Sequence, residues 1–491
     1  MQTKVAWKTI PDFLRYSFQK FPNKIALDFE SKTYTYKDLW HWTDQVSSFL
    51  IQQTKKSEIV AILLPNSADF VVSYFSVLKS NLIVLLLPSN ISDNTLQFQM
   101  KKTQAKFIIS EKKYLNKLTR SGVLKNCTFF DIHEVTYQGK ILSRKPQKND
   151  ISTIIFTSGT TSEPKGVVLR HTNVVNATKN IIEYLKFNHH DKDVNISQLS
   201  HSFGLAHLHC LFAVGGTVIL FRDAINQRAI LQAIIDKRAT TFGAVPAILR
   251  LLTSHYEKEL KKCGKYLRMV QTNTSPLEKE LIEKILTLLP KTNFSYYYGL
   301  TEASRATFIT FNEVSDKYAS VGKASPNVQV KIVTNHKKAR PYVPGEICIK
   351  GKMVIKEYWK NIVASRAIQK GWFHTGDYGY LDDDGYLFFQ GRKDDIINVS
   401  GEKVLPEQIE YVIKGTSGVI DACVVGFPDK LFGEVPKAFI TVSEKQFDVK
   451  LVIDRCRQFL ESYKIPRQVE IIDTIPRTEN GKLQRSLLRN K

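Results

Sequence analysis

The stretch from Glu58 to Pro88 constrains the fold more than any other. It reads "EIVAILLP", then "SADFVVSYFSVLKSN", then "LIVLLLP". The outer two segments are apolar on both faces of a strand, and the middle one carries apolar residues at helical spacing. Strand, helix and strand in such close succession argue for a parallel sheet covered by helices. The alternation extends both ways. "PDFLRYSFQKFP" reads as a helix, "KIALDFE" and "KTYTY" as a strand pair, and "KDLWHWTDQVSSFLIQQ" as a helix. Further on, "ATTFGAVPAILRLLTSHY", "LRMVQTN", "SPLEKELIEKILTLLP" and "NFSYYYG" repeat it. After about residue 315 the pattern changes to short strands and turns, as in "VQVKIVTN", "GEICIKG" and "GYLDDDGYLFFQG", which predicts a β-rich subdomain. The last stretch, with "LPEQIEYVIKGT", "VIDACVVGF", "KAFITVSE" and "VKLVIDRCRQFLESY", predicts a small α+β domain. Its boundary falls near Gly391 to Asp395.

Composition narrows the function classes. A chain of 491 residues that is 43% hydrophobic can bury two or three cores. The net charge of +23 favours anionic partners such as nucleotides, acidic proteins or anionic lipid, and fits a generally basic solvated surface equally well. Lysine and arginine are spread along the chain without a long run or a zinc-finger or homeodomain pattern, so nucleic acid is not an expected partner. The six cysteines form no C-x-x-C pair and read as free thiols of a reducing compartment. The first residues lack the apolar core of a signal peptide, and "LIVLLLP" falls far short of the roughly 20 residues that cross a bilayer. A cytoplasmic protein without a transmembrane segment is expected.

One loop carries chemistry. "FTSGTTSEPKGVVLRH", residues 156–171, follows the buried-strand pattern "ISTIIF" and packs hydroxyls and glycine into a run that can aim donors at one phosphate. It is not the Walker pattern, because Pro164 stands where the second glycine belongs and Gly166 follows Lys165. The segment after it predicts a helix with Thr172 as N-cap.

Four further stretches follow: "YYYGLTEAS" at 296–304, "GEICIKG" at 345–351, "GWFHTGDYGYLDDDGYLFFQGRKDDIINVSGEKVLPEQIE" at 371–410 and "PRTENGKLQR" at 476–485. With "TSGTTSEPKG", they resemble, in sequence and in order, the motifs of the acyl-adenylate-forming superfamily. That group includes acyl-CoA and aryl-CoA synthetases, peptide-synthetase adenylation domains and beetle luciferases. The resemblance implies an α/β protein. Residues 1–393 would form a large N-terminal domain of two helix-covered mixed β-sheets plus a small β-barrel subdomain at about 315–391. Residues 394–491 would form a small mobile α+β C-terminal domain turning about a hinge at Asp394.

The resemblance further implies an enzyme that uses ATP and Mg²⁺ to convert a carboxylic acid into acyl-AMP with release of pyrophosphate, then transfers the acyl group to a thiol. Thr157, Ser158, Gly159, Thr160, Thr161 and Lys165 would cradle the β- and γ-phosphates, and Ser275 would lie on the adenine side. Tyr298 would stack on adenine, Thr301 would bond the α-phosphate and Glu302 would hold the metal, tasks that suit an aromatic face, a hydroxyl and a hard oxygen in turn. Asp377 would accept the ribose hydroxyls, and Arg392 would reach the ribose or phosphate. Lys482 would bridge the two reacting anions. Gly401 would line the thiol tunnel after rotation, and His201 and Gly299 would border the acyl channel. Tyr296 and Tyr297 read as ordinary strand aromatics, and His207 and His209 as structural. The chain departs from the family pattern at Ser162, Asn273, Thr274 and Glu357.

Amino-acid-activating members place an aspartate near the channel to pair with the substrate amine. None lies between 196 and 210, so a non-amino acid, fatty or aryl, is expected. The acceptor thiol is that of coenzyme A or of the phosphopantetheine on an acyl carrier protein. Coenzyme A is the commonest acceptor among stand-alone members. Seven Lys/Arg against three Asp/Glu over 464–491 would suit an acidic carrier protein. A non-catalytic nucleotide-binding scaffold would be expected to lose Lys482 or Glu302, and both are present; a luciferase-like oxygenase would share all these motifs and remains an alternative.

Overall fold

The structure is a computed structural model that describes residues 7–157, 164–273, 277–314, 316–444, 446–477 and 483–489. Ile59–Leu63 and Ile83–Leu87 are strands buried at every position, and they pair in parallel with Ile59 opposite Ile83. The helix between them, Ala68–Lys79, is capped by Ser67, whose Oγ accepts the Phe70 N–H at 3.1 Å. These strands sit at the middle of a six-stranded sheet. Its order is Thr128–Asp131, Phe107–Ser110, Ile59–Leu63, Ile83–Leu87, Ile151–Thr157 and Lys165–Arg170. Only the last pair is antiparallel.

A nine-stranded sheet accompanies it, in the order Lys323–Ala324, Ala303–Thr310, Asn293–Leu300, Met269–Thr272, Thr241–Gly243, Lys192–Asn195, Thr217–Leu220, Ile25–Phe29 and Lys32–Thr35. Its six central strands are parallel. Phe75 of helix Ala68–Lys79 stacks on Phe212 of helix Ser202–Val214 with centroids 5.6 Å apart, inside the core that both sheets share. Each such buried side chain contributes about 1.5–3 kcal/mol.

The connections position the site. The chain leaves Lys192–Asn195 for Thr217–Leu220 on one side and returns to Thr241–Gly243 on the other. Such a reversal opens a crevice outside the carboxyl ends of the strands. His201, Asn273 and the Thr301–Glu302 turn all follow the carboxyl ends of strands in this sheet.

One expected cap is corrected. Thr172 does not cap its helix, because strand Lys165–Arg170 stays in register up to Ile151 opposite Arg170 and runs straight into helix His171–Leu185. Arg170 takes the capping position, and its N–H donates to Asn173 Oδ1 at 2.8 Å.

The described residues form two compact units, one of 7–157, 165–329 and 349–373, the other of 330–348 and 374 onward. The second holds most of a sheet ordered Lys337–Lys338, Val328–Thr334, Gly345–Gly351, Trp372–Leu381, with Leu387–Arg392 also paired to the last. It also holds a five-stranded sheet in which Ile397–Val399 pairs with Glu402–Val404 and with Gly433–Val442, the latter flanked by Val419–Asp429 and Gln468–Ile471. Helices Pro406–Lys414 and Lys450–Phe459 supply residues to its core. Among the described residues no helix is long and apolar enough to cross a membrane.

Candidate active site

Strand Ile151–Thr157 ends where the hydroxyl-rich loop begins, and Thr157 lies opposite Lys165 in the register of the following strand. Ser158, Gly159, Thr160, Thr161 and Ser162 lie outside the described residues. Beyond the loop, a Cβ on Gly166 would stand 3.1 Å from Trp359 Cβ and 3.2 Å from Phe156 Cζ. The Trp359 N–H donates to Gly166 O at 2.7 Å. Glu357, a departure from the family pattern, pairs with Arg170 at 2.5 Å.

Strands Asn293–Leu300 and Ala303–Thr310 form an antiparallel pair joined through Thr301 and Glu302. Tyr296 and Tyr297 are buried, while Tyr298 and Thr301 are half-buried. Gly299 has no room for a side chain, since a Cβ there would meet the Arg305 backbone nitrogen at 2.4 Å. Glu302 is buried. Tyr358 Oη donates to its Oε1 at 2.9 Å, and the Ile355 N–H donates to its carbonyl at 3.0 Å.

At the neighbouring strand ends, buried polar atoms lack partners among the described residues: Gln271 Nε2, Thr272 Oγ1, Asn273 Oδ1, His201 Nε2 and His207 Nε2. Ser275 and Thr274 lie outside the described residues. His201 stands immediately before helix Ser202–Val214, and burial lowers its pKa. His207 Nδ1 lies 3.1 Å from Asp193 Oδ2, while Thr241 Oγ1 donates to Asp193 Oδ1 at 2.6 Å. His209 Nε2 lies 3.0 Å from Tyr74 Oη, and burial, then the charge of Arg305, lowers its pKa to about 3.

The second unit contributes a separate cluster. Arg392 Nη1 donates to the buried Asp377 Oδ1 at 2.6 Å, and Gly376, at φ +71, leaves room beside that guanidinium. Ser400 and Gly401, at φ +50 and +92, make the two-residue turn between Ile397–Val399 and Glu402–Val404, a conformation that favours glycine. Asp394 is exposed, and its carbonyl accepts from Arg489 Nη2 at 2.6 Å. Lys482 lies outside the described residues.

Close to Asp394, Arg485 Nη2 donates to both Glu410 oxygens at 2.7 and 2.8 Å and lies 3.2 Å from Glu407. Burial pushes the Glu407 carboxyl up to about 7, against the pull of Arg485 and with the repulsion of Glu410. The folded state therefore holds this proton more tightly than the unfolded chain does. The associated stability is complete below the usual carboxylate value of 4.5 and is lost as pH rises through about 7. Glu407→Gln is expected to match the wild type in urea unfolding at pH 4.5 and to exceed it by up to about 3 kcal/mol at pH 8.

Sequence reading did not single out Tyr358, Asp193 or Arg305. Tyr358 stands next to the noted Glu357, but a hydroxyl that finds its acid 56 positions earlier leaves no local pattern.

The donor set suits a nucleotide and magnesium. Partnerless amide and hydroxyl groups at the strand ends can meet a base or phosphate. Among the described residues no cluster of three or more His, Cys, Asp or Glu could hold a metal alone. A buried carboxylate such as Glu302 fits magnesium, which keeps waters and substrate phosphates as its other ligands.

The family model of the AMP-binding enzymes matches residues 14–359, and that of the AMP-binding enzyme C-terminal domain matches 408–482. Over 490 residues the chain is 30% identical to the 2-succinylbenzoate–CoA ligase of Bacillus velezensis, covering 97% of both proteins. It is 28% identical to that of Bacillus subtilis over 98% of both. The structure of o-succinylbenzoate CoA synthetase from Bacillus subtilis with its acyl-adenylate intermediate superposes at a TM-score of 0.90, with 27% identity and 98% of each chain covered. Its complex with ATP and magnesium ion gives 0.88 at 28% identity over 98% of each chain. The chain thus belongs to the AMP-binding enzyme family and is an ATP-dependent acid–thiol ligase that works through an acyl-adenylate.

Proposed function

We propose that this ligase converts an aromatic dicarboxylic acid of the 2-succinylbenzoate type into its coenzyme A thioester. The observation that carries the reading is similarity along the full length to 2-succinylbenzoate–CoA ligases, with 97% of both chains covered. Asp193 supports a non-amino acid, because it is buried and each of its oxygens is already bonded, one to His207 and one to Thr241, a structural role rather than a free partner for a substrate ammonium.

In this reading Thr157, Lys165 and the loop between them hold the departing pyrophosphate. Tyr298 covers the adenine, Thr301 meets the α-phosphate, and Glu302, oriented by Tyr358, holds magnesium. The metal, when bound, neutralises charge on the phosphate oxygens. Asp377 and Arg392 serve the ribose, exchanging part of their mutual ion pair for it. His201 and Gly299 border the acid. Lys482 brings its ammonium to the carboxylate and the α-phosphate during adenylation. Residues 394–491 then turn about Asp394 as a domain distinct from 1–393, and Gly401 comes to the thiol. A cytoplasmic setting accords with a soluble substrate and cofactor.

The test is pyrophosphate release across fatty, short-chain, aryl and aryl-dicarboxylic acids, followed by mass spectrometry of products with coenzyme A or acyl carrier protein. Release with 2-succinylbenzoate and a coenzyme A thioester as product are expected. A preference for fatty acids would reassign the acid, and acylated carrier protein alone would reassign the acceptor.

A further inference from the structure

Arg305 lies three positions beyond Glu302, on a strand whose register with its partner breaks. Tyr298 faces Thr307 and Leu300 faces Ala303, so one residue on the first strand stands against three on the second. Such a bulge re-aims side chains. Arg305 holds φ +52 within it, a left-handed conformation that costs a non-glycine residue about 1–3 kcal/mol and persists where the surroundings impose it. Gly299 makes room, since any side chain there would strike the Arg305 backbone.

The residue so placed is 3% exposed. Its Nη1 donates to Ser202 O at 3.3 Å and to Ser304 Oγ at 3.0 Å, and its Nη2 donates to Phe203 O at 3.2 Å. Its carbon lies 4.6 Å from the Tyr297 ring centre and 5.7 Å from that of Phe203. Its Nε makes no hydrogen bond of good geometry to a described residue, the buried Tyr297 hydroxyl interacts with the same side chain, and no aspartate or glutamate among the described residues pairs with it. Asp193, on the same sheet, is already engaged by His207 and Thr241. Backbone carbonyls and an aromatic face compensate only part of a buried cation's lost hydration. A guanidinium held this way calls for an anion.

Its surroundings hold further groups able to donate. Ser202 and Phe203 directly follow His201, whose own Nε2 is buried without a partner among the described residues. Phe203 packs edge-on to His207, 5.0 Å between centroids, and a Cβ on Gly243 would touch that imidazole at 2.5 Å. Gly243 in turn pairs with Gln271, whose Nε2 is also without a partner. Arg305, His201 and Gln271 thus bring donor-capable nitrogens to one region at the strand ends.

We infer that Arg305 recognises the second, unactivated carboxylate of a dicarboxylic acid and sets the enzyme's preference for diacids. This rests on the aryl-diacid reading above. One carboxylate of such an acid reacts; the other stays ionised away from water and needs a fixed cation.

The test compares 2-succinylbenzoate with two analogues that each lack one carboxylate, 2-butanoylbenzoate and 4-oxo-4-phenylbutanoate, in ATP–pyrophosphate exchange. The wild type is expected to favour the diacid, in kcat/KM, by ~100-fold over whichever analogue reacts. Arg305→Gln is expected to bring that ratio to within a few-fold, mainly through KM for the diacid, and Arg305→Lys to recover part of it. 2-Succinylbenzoate is also expected to raise the Tm of the wild type and not of Arg305→Gln. A wild type without diacid preference, or a variant that loses diacid and monoacid activity in equal proportion, overturns the assignment of Arg305 alone. Exchange with none of these acids, nor with any of the broader panel, overturns the ligase reading and this inference with it.

Discussion

Lys482→Ala is expected to lower ATP–pyrophosphate exchange by about 1,000-fold or more while leaving thioester formation from supplied acyl-AMP within a few-fold of the wild type. Adenylation brings a carboxylate against a triphosphate, and the repulsion must be screened where the charge develops. Losing one well-placed donor to such charge costs about 10²–10³-fold, and a full cation exceeds that. The second half-reaction has no such encounter, because its leaving group is AMP and its nucleophile a thiol. The partition between the two assays carries the assignment: loss of both by the same factor would point to misfolding, and intact exchange would remove Lys482 from the mechanism. Asp394→Pro is expected to divide the reactions the other way. Proline fixes φ and stops a hinge from turning, so the second half-reaction should fall at least ~10-fold further than the first. Asp394 suits that role, being exposed and held through its carbonyl by Arg489.

The sheets were legible because their strands are apolar on both faces. Ile59–Leu63 and Ile83–Leu87 are buried at every position, and only a helix-covered parallel sheet provides that environment. Helix Ser202–Val214 was not legible as an element. "SFGLAHLHCLFAV" is buried at ten positions, so it shows no polar face to mark a helical period. The Thr172 cap was misplaced for a related reason. Where the strand ended depended on pairing with Ile151–Thr157, a long-range register that outranks a local hydroxyl. Among the proposed site residues, those in linear motifs, such as Thr301 and Glu302, could be named from the resemblance their motif carries. Arg305 could not, because the role inferred for it rests on a bulge and on having no acidic partner among the described residues, and neither is written in neighbouring residues. Glu357 looked like a departure from the family, yet it is the ion-pair partner of Arg170.

Glu302→Gln is expected to lower kcat/KM for exchange by about 10²–10³-fold and to raise several-fold the magnesium concentration that gives half-maximal rate. Glutamine preserves the shape of a buried side chain and the bond from Tyr358, so the fold should survive. What it removes is the negative charge that makes a single protein carboxylate a sufficient anchor for a reluctantly dehydrated cation. In this assignment Tyr358 acts through that carboxylate, to whose Oε1 it donates at 2.9 Å, while the Ile355 N–H holds the same residue's backbone. Tyr358→Phe should therefore cost only about 5–10-fold, the effect of one orienting hydrogen bond. The two losses should not add: in the double variant the rate should match that of Glu302→Gln alone, since a hydroxyl that works by aiming a charge has no work left once the charge is gone. Additive losses would mean that Tyr358 contributes by packing against Val167, with which it forms a bridge. An unchanged magnesium requirement in Glu302→Gln would mean that the metal is anchored elsewhere.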